Sequence, residues 1–309
     1  MKIQEQNFGV EIELTGISRE KAASVISEYY ETYRNEYSGG SYKTWTAIDR
    51  EGRVWKAMRD SSITAERSKL YPSTDLDELK CEIVTPILRY SDIEDLQNIV
   101  RALRKEGAKA NESCGIHIHV DGANHTPQSL TRLLNFAIGR QDLFYEALEI
   151  KDRADKWCKK MPKSLLKAFK SNEDLTRSRM EALWYSRVND DYNGGINHDH
   201  YNSTRYHGIN YHAFFTKGTI EFRLFNSTTH AGKIKAYIQF CLAMSAWAIN
   251  ANDNLHFSSC GNYTQEKKAE LMKRVLVRRL KMSGKEFKTA RLHLTSAFKT
   301  EAAPERQAA

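Results

Sequence analysis

The chain has 309 residues, 40% of them hydrophobic and 28% charged, which excludes a disordered or fibrous class and leaves one large domain or two ordinary ones. Its formal net charge of +8 suits anionic partners such as nucleotide phosphates, and equally a plain basic surface. Cys81, Cys114, Cys158, Cys241 and Cys260 are scattered with no CxxC pair, which excludes a disulfide framework or a zinc knuckle and fits a reducing cytoplasm.

In chain order, Phe8–Leu14 alternates apolar and acidic residues. That pattern predicts a strand with Glu11 and Glu13 on one face and Val10, Ile12 and Leu14 on the other. No apolar signal core precedes it, so a cytoplasmic protein is expected. Ser18 is placed as the N-cap of a helix to about Tyr33, broken by Ser38-Gly39-Gly40-Ser41. Tyr42–Ile48 and Val54–Met58 read as a hairpin turning at Asp49–Gly52. Asp60–Thr64 reads as a short strand or a substrate loop. Lys80–Pro86 reads as a strand that turns Glu82 away from Cys81 and Ile83, and a helix capped near Asp92 runs to Gly107.

Cys114–Val120 alternates again, with His117 and His119 on one face and Ile116, Ile118 and Val120 on the other. Side chains two apart on a strand stand roughly 6.5–7 Å from each other. Thr126-Pro127 opens a helix expected to reach Ala147. From Lys151 to Arg179 the chain turns basic, and Asn189–Asn202 is long and polar enough to be either a lid or a disordered connection. Tyr206–Phe215 and Thr219–Phe225 read as a second hairpin turning at Thr216–Gly218, with Glu221 and Arg223 sharing a face. The apolar run Ile234–Asn250, interrupted by Lys235, Gln239 and Ser245, predicts a core helix within Lys233–Ile249 rather than a membrane span. Basic helices follow at about Gln265–Lys281 and Lys285–Phe298, then a frayed tail from 301 to 309. The order lacks a regular βαβ rhythm. It predicts an α+β fold, an antiparallel sheet with helices on one side, over a single domain 1–300 that carries a helical insertion at about 127–200.

If these strands share a sheet, Glu11, Glu13, Glu82, His117, His119, Glu221 and Arg223 converge on its open face. Carboxylates so crowded resist joint ionisation unless cations neutralise them. A ligand set rich in carboxylates with one or two imidazoles favours Mg²⁺ or Mn²⁺ over zinc. Arg223, sharing a face with Glu221, would then either pair structurally with a neighbouring Glu or meet a phosphoryl oxygen or an anionic intermediate.

Phe8-Gly9-x-Glu11-x-Glu13, Glu82-x-Val84-Thr85-Pro86, Cys114-Gly115-x-His117-x-His119-Val120 and Thr219-x-Glu221-x-Arg223 resemble, in this order, the motifs of the amidoligase family, which stands with glutamine synthetase and glutamate–cysteine ligase among the carboxylate–amine ligases. The resemblance runs in islands from about residue 7 to 228. It implies a curved antiparallel sheet of the glutamine-synthetase catalytic type, holding ATP and two or three Mg²⁺ or Mn²⁺ ions. Carried over residue by residue, it implies Glu11, Glu13, Glu82, His117 and Glu221 as metal ligands and His119 as a contact to nucleotide or substrate. It also implies Arg223 and Arg205 as phosphate-binding arginines and Asn210 as a residue that orients substrate. The implied reaction joins a carboxylate, with glutamate or a peptide as candidates, to an amine through an acyl phosphate. The base for the amine has no counterpart. Two other classes compete. A metal-dependent amide or peptide hydrolase would also use His-x-His, but on a barrel or cupin pattern this chain lacks. A basic nucleic-acid-binding module would use the two C-terminal helices, but shows no recognised signature.

Overall fold

The computed structural model describes residues 1–151, 153–188, 195–252 and 262–298. The expected tail at 301–309 lies outside the described residues, as do positions 189–194 of the expected lid. Among the described residues, eight strands form one open antiparallel sheet: β1 (Phe8–Leu14), β2 (Asn35–Gly39), β3 (Thr44–Ile48), β4 (Val54–Met58), β5 (Cys81–Val84), β6 (Gly115–Asp121), β7 (Ile209–Asn210) and β8 (Thr219–Asn226). Their order is β2-β3-β4-β5-β1-β6-β8-β7, which sets β1 and β6, the strands richest in acids and histidines, side by side, with β8, carrying Glu221 and Arg223, next to β6.

The helices are α1 (Arg19–Tyr29), α2 (Ile93–Lys105), α3 (Pro127–Ile138), α4 (Gln141–Ala147), α5 (Arg153–Lys156), α6 (Lys163–Lys170), α7 (Arg177–Val188), α8 (His212–Lys217), α9 (Ala231–Asn250), α10 (Gln265–Arg274) and α11 (Lys288–Thr295). Period-two alternation decides which face meets them. Val10, Ile12, Leu14, Ile83, Ile116, Ile118, Ile220 and Phe222 are buried in one apolar core with residues of α1, α2 and α9. Helix α9 is buried almost all round, which suits a run apolar on every side. Among the described residues no helix is long and apolar enough to cross a membrane.

Local chemistry fixes several boundaries. The Ser18 hydroxyl accepts from the Lys21 amide at 3.2 Å and starts α1. That helix stops at Tyr29, short of the expected Tyr33, because the chain turns through left-handed backbone at Glu31 and Tyr33. Ser38–Ser41 does not simply break a helix: its first half closes the unforeseen edge strand β2. The expected helix from Thr126 to Ala147 is two, α3 and α4, separated at Gly139-Arg140. The second hairpin is also corrected. Ile209 and Asn210 form the short strand that pairs with β8, with the Gly208 carbonyl also accepting from the Arg223 amide, and α8 takes the last four residues of the expected first strand. Gly218, at φ 76°, ends that helix in the left-handed conformation and turns the chain into β8.

Candidate active site

The face of the sheet opposite the core carries the site. Cross-strand register brings its residues together: Glu11 lies opposite His117, and Glu13 opposite Glu82. His119 lies opposite Glu221, and Glu221 opposite Asn210. The pairing of β6 with β8 shifts register between Ile116 and Ile118, which face Phe225 and Phe222. The extra β8 residue there is a bulge, and bulges re-aim side chains. It brings Arg223 Nη1 to 3.4 Å from His117 Nδ1.

Among the described residues, two groups of three ligand atoms result, Glu11–His117–Glu221 and Glu13–Glu82–His117. Within each, the atoms lie within 4.8 Å of one another. His117 belongs to both. Its Nδ1 is 3.0 Å from Glu11 Oε2 and 3.7 Å from Glu221 Oε1, and its Nε2 is 3.6 Å from Glu13 Oε1. His119 stands aside: its Nδ1 is 2.8 Å from the Thr219 hydroxyl and its Nε2 is 3.2 Å from Glu11 Oε1.

The electrostatics differ across the site. Burial and the Arg223 charge push the His117 imidazole down to about 4, so it is neutral near pH 7 and keeps a lone pair for a ligand. Burial would raise Glu221, but the Arg223 guanidinium, hydrogen-bonded to its Oε1 at 2.5 Å, outweighs that and holds it well below the carboxylate range. Asn210 Nδ2 donates to its other oxygen at 2.6 Å. At the far side, burial and then Asp60 push Glu13 up to about 7, although the Gly115 amide donates to it at 2.7 Å. Loss of water and then the charges of Glu11 and Glu13 raise Glu82 well above the carboxylate range.

This donor set fits a hard divalent cation. The carboxylates are too crowded to ionise together unaided, and His117 Nε2 and His119 Nε2 are buried with no hydrogen-bond partner. Oxygens and a neutral imidazole nitrogen at these separations suit Mg²⁺ or Mn²⁺.

A cavity of about 360 Å³ adjoins the site, lined by Glu11 and His119 together with Gly9, Val84, Pro86 and Lys217. A smaller one, about 120 Å³, lies beyond Glu221 and is lined by Arg205, Asn210, His212 and Lys217. Arg205 thus lines this smaller cavity and not the one beside Glu11. It donates to the His200 carbonyl at 2.7 Å and lies over the rings of Tyr201 and Tyr206. Asn210 buttresses Glu221. Residues 195–202, the described part of the expected lid, are tied to α7 by His198–Glu181 at 2.6 Å and to the base of β3 by the Tyr201–Tyr42 hydroxyl pair at 2.7 Å.

Sequence reasoning missed three participants. Asp60 adds its charge to the Glu13–Glu82 pair. The Trp157 carbonyl accepts from Arg223 Nε at 3.3 Å. Arg153 is buried over Gly115. Asp60 stood in a stretch already suspected of meeting substrate. No local signal marks the other two, since both come from the insertion folding back onto β6 and β8.

The family described as "Putative amidoligase enzyme" matches residues 4–245, a span that includes all eight strands and every site residue above. No curated protein matches the chain.

Proposed function

The chain belongs to the amidoligase family, a family of ligase type, and from that premise we propose that it is an ATP-dependent carboxylate–amine ligase acting in the cytoplasm. On this reading residues 1–300 form one catalytic domain with the helices of 127–200 inserted, and the sheet is a cradle of the glutamine-synthetase type. The observation that carries the proposal is the pair of carboxylate–imidazole triples sharing His117 beside a cavity of about 360 Å³. That volume suits a nucleotide-sized ligand.

Glu11, Glu13, Glu82, His117 and Glu221 would hold two or three Mg²⁺ or Mn²⁺ ions. Those ions would offset charge on the phosphates of ATP. The nucleotide would lie along Gly9, Val84 and Pro86, with Lys217 and His119 near its phosphates. The substrate carboxylate, of glutamate or a peptide, attacks the γ-phosphorus, the bond to ADP breaks, and an acyl phosphate forms. An amine then attacks the acyl carbon and loses a proton, phosphate leaves, and an amide or isopeptide remains. Arg223, fixed by Glu221 and the Trp157 carbonyl, would face the developing negative charge. Arg205 and Asn210 would line the approach on the Glu221 side, and residues 195–202 would help exclude water that hydrolyses the acyl phosphate.

Calorimetric titration tests the reading. ATP should bind the wild-type protein with Mn²⁺ present and at least about tenfold more weakly without it, and Glu11→Ala with Glu221→Ala should lower Mn²⁺ affinity more than about a hundredfold, beyond what loss of an outer partner costs. Unchanged Mn²⁺ and ATP binding in the double variant would sink the proposal.

A further inference from the structure

Arg153 belongs to no motif and sits in the basic insertion, yet only 7% of it is exposed. Burying a guanidinium costs several kcal/mol unless its donors are met. Those of Arg153 are not: Nε and Nη2 have no hydrogen-bond partner. These two nitrogens lie on one edge of the planar group, the edge that holds two oxygens of a carboxylate or phosphoryl group side by side.

Its position is set by a glycine. A Cβ built on Gly115 would run into Nη2 and Cζ of Arg153, so any larger residue there would evict the guanidinium. Position 115 precedes His117 by two and His119 by four, and alternate residues of a strand share a face. The guanidinium therefore takes the next place in the histidine row. Arg153, His117 and His119, successive in that row, each present a buried polar atom without a partner. The Gly115 amide donates to Glu13, so the guanidinium stands at the Glu13 end of the site.

The two buried arginines are not equivalent. Arg223 is engaged by Glu221 at 2.5 Å and by the Trp157 carbonyl at 3.3 Å. Arg153 keeps a whole edge of its fork unused. Were it only a counter-charge for Glu13, that edge would donate to the carboxylate, and it does not.

We infer that Arg153 binds an oxyanion, holding two oxygens of a phosphoryl or carboxylate group through Nε and Nη2 beside Glu13, Glu82 and His117. Only the identity of that group as acyl phosphate or substrate carboxylate rests on the ligase reading.

The test uses the full chain loaded with Mn²⁺ and titrated calorimetrically with inorganic phosphate and, separately, with glutarate, so that the tighter probe shows which oxyanion the site takes. Arg153→Met should weaken the bound anion about tenfold or more while Mn²⁺ affinity, measured alone, changes less than about threefold. Arg153→Lys keeps the charge without the fork and should remain at least about fivefold weaker than wild type, which preserves the test if the methionine variant does not fold. The inference is overturned if wild type binds neither anion, if both variants bind the anion as wild type does, or if Mn²⁺ and anion affinities fall together. No ATP is present, so absent ATP binding would defeat the ligase reading and leave this result interpretable.

Discussion

The two triples on the open face share His117 and differ in how their charge is balanced. Glu11–His117–Glu221 has Arg223 locked to Glu221, Asn210 on its second oxygen and imidazoles on Glu11. Glu13–Glu82–His117 has two carboxylates directly opposite each other in register, Asp60 adding to their field, and an arginine, Arg153, whose Nε and Nη2 donate to neither of them. Like charges facing across strands destabilise a sheet. The first group is built to stay ionised without a ligand. The second needs a proton or a cation. On the proposed metal-binding reading, a site whose halves differ this way would fill in order: the balanced half would be preformed, and the unbalanced half would change most on binding metal.

The largest expected effect probes the unbalanced half. Glu13 titrates at about 7 in the fold against 4.5 for a free carboxyl. The folded chain then holds a proton that the unfolded chain has released between those values, so this group's contribution to stability falls as pH rises from 4.5 through 7. His117, pushed down to about 4 from 6.5, works in the opposite direction between those values, so wild type alone would hide the effect. The informative quantity is a difference. Metal-free Glu13→Gln should match wild type near pH 4.5 and exceed it above pH 7 by on the order of 3 kcal/mol, read from urea unfolding. Saturating Mn²⁺ should cancel or reverse the gain. A difference that stays flat with pH would mean the two triples are not unequally balanced.

A second effect, smaller, sharpens what the triples share. His117 contributes to both and His119 to neither. His117→Ala should weaken Mn²⁺ binding roughly ten- to a hundredfold, and His119→Ala less than about threefold. Loss of His119, which lines the cavity of about 360 Å³ with Thr219 on its Nδ1, should instead weaken ATP binding in the presence of Mn²⁺. Equal Mn²⁺ loss in the two variants would remove the distinction between bridging and flanking imidazole.

Much of this face was legible before any coordinates. Alternation states which side chains leave the core, and in β1, β5, β6 and β8 it sorted Glu11, Glu13, Glu82, His117, His119, Glu221 and Arg223 correctly, because the opposite face of each strand is packed with aliphatic residues. Where burial does not enforce alternation the signal fails. Strand β2 is an edge with mostly exposed residues, and nothing in Asn35–Gly39 distinguishes it from a loop. In Tyr206–Phe215 the aromatic residues suit a strand locally, but Tyr211 is committed to the Leu130 carbonyl and Phe214 to the Arg177 side chain, and a helical turn meets both. Arg153 was beyond reach. Its neighbours Lys151, Lys156, Lys159 and Lys160 carry the same charge, and only tertiary folding selects the one that is buried.

The smallest expected effect separates arginines by depth. Arg205 was expected to bind phosphate, but its fork already donates to the His200 carbonyl, and its plane rests on Tyr201 and Tyr206 in a half-exposed position. A charge that stays partly hydrated contributes modestly to binding, about 1 kcal/mol or less. Arg205→Ala should therefore weaken ATP binding in the presence of Mn²⁺ by about three- to sixfold, and raising salt from about 0.05 to 0.5 M should shrink that difference, because exposed interactions are screened. Arg223 is buried and fixed on both sides, so Arg223→Ala should cost at least about tenfold more than Arg205→Ala, with a penalty that salt barely alters. If the two variants lose ATP affinity equally and with the same salt dependence, Arg205 enters the site when ligand binds, and the His200–Tyr206 segment is a moving part of the ligand-binding apparatus rather than its rim.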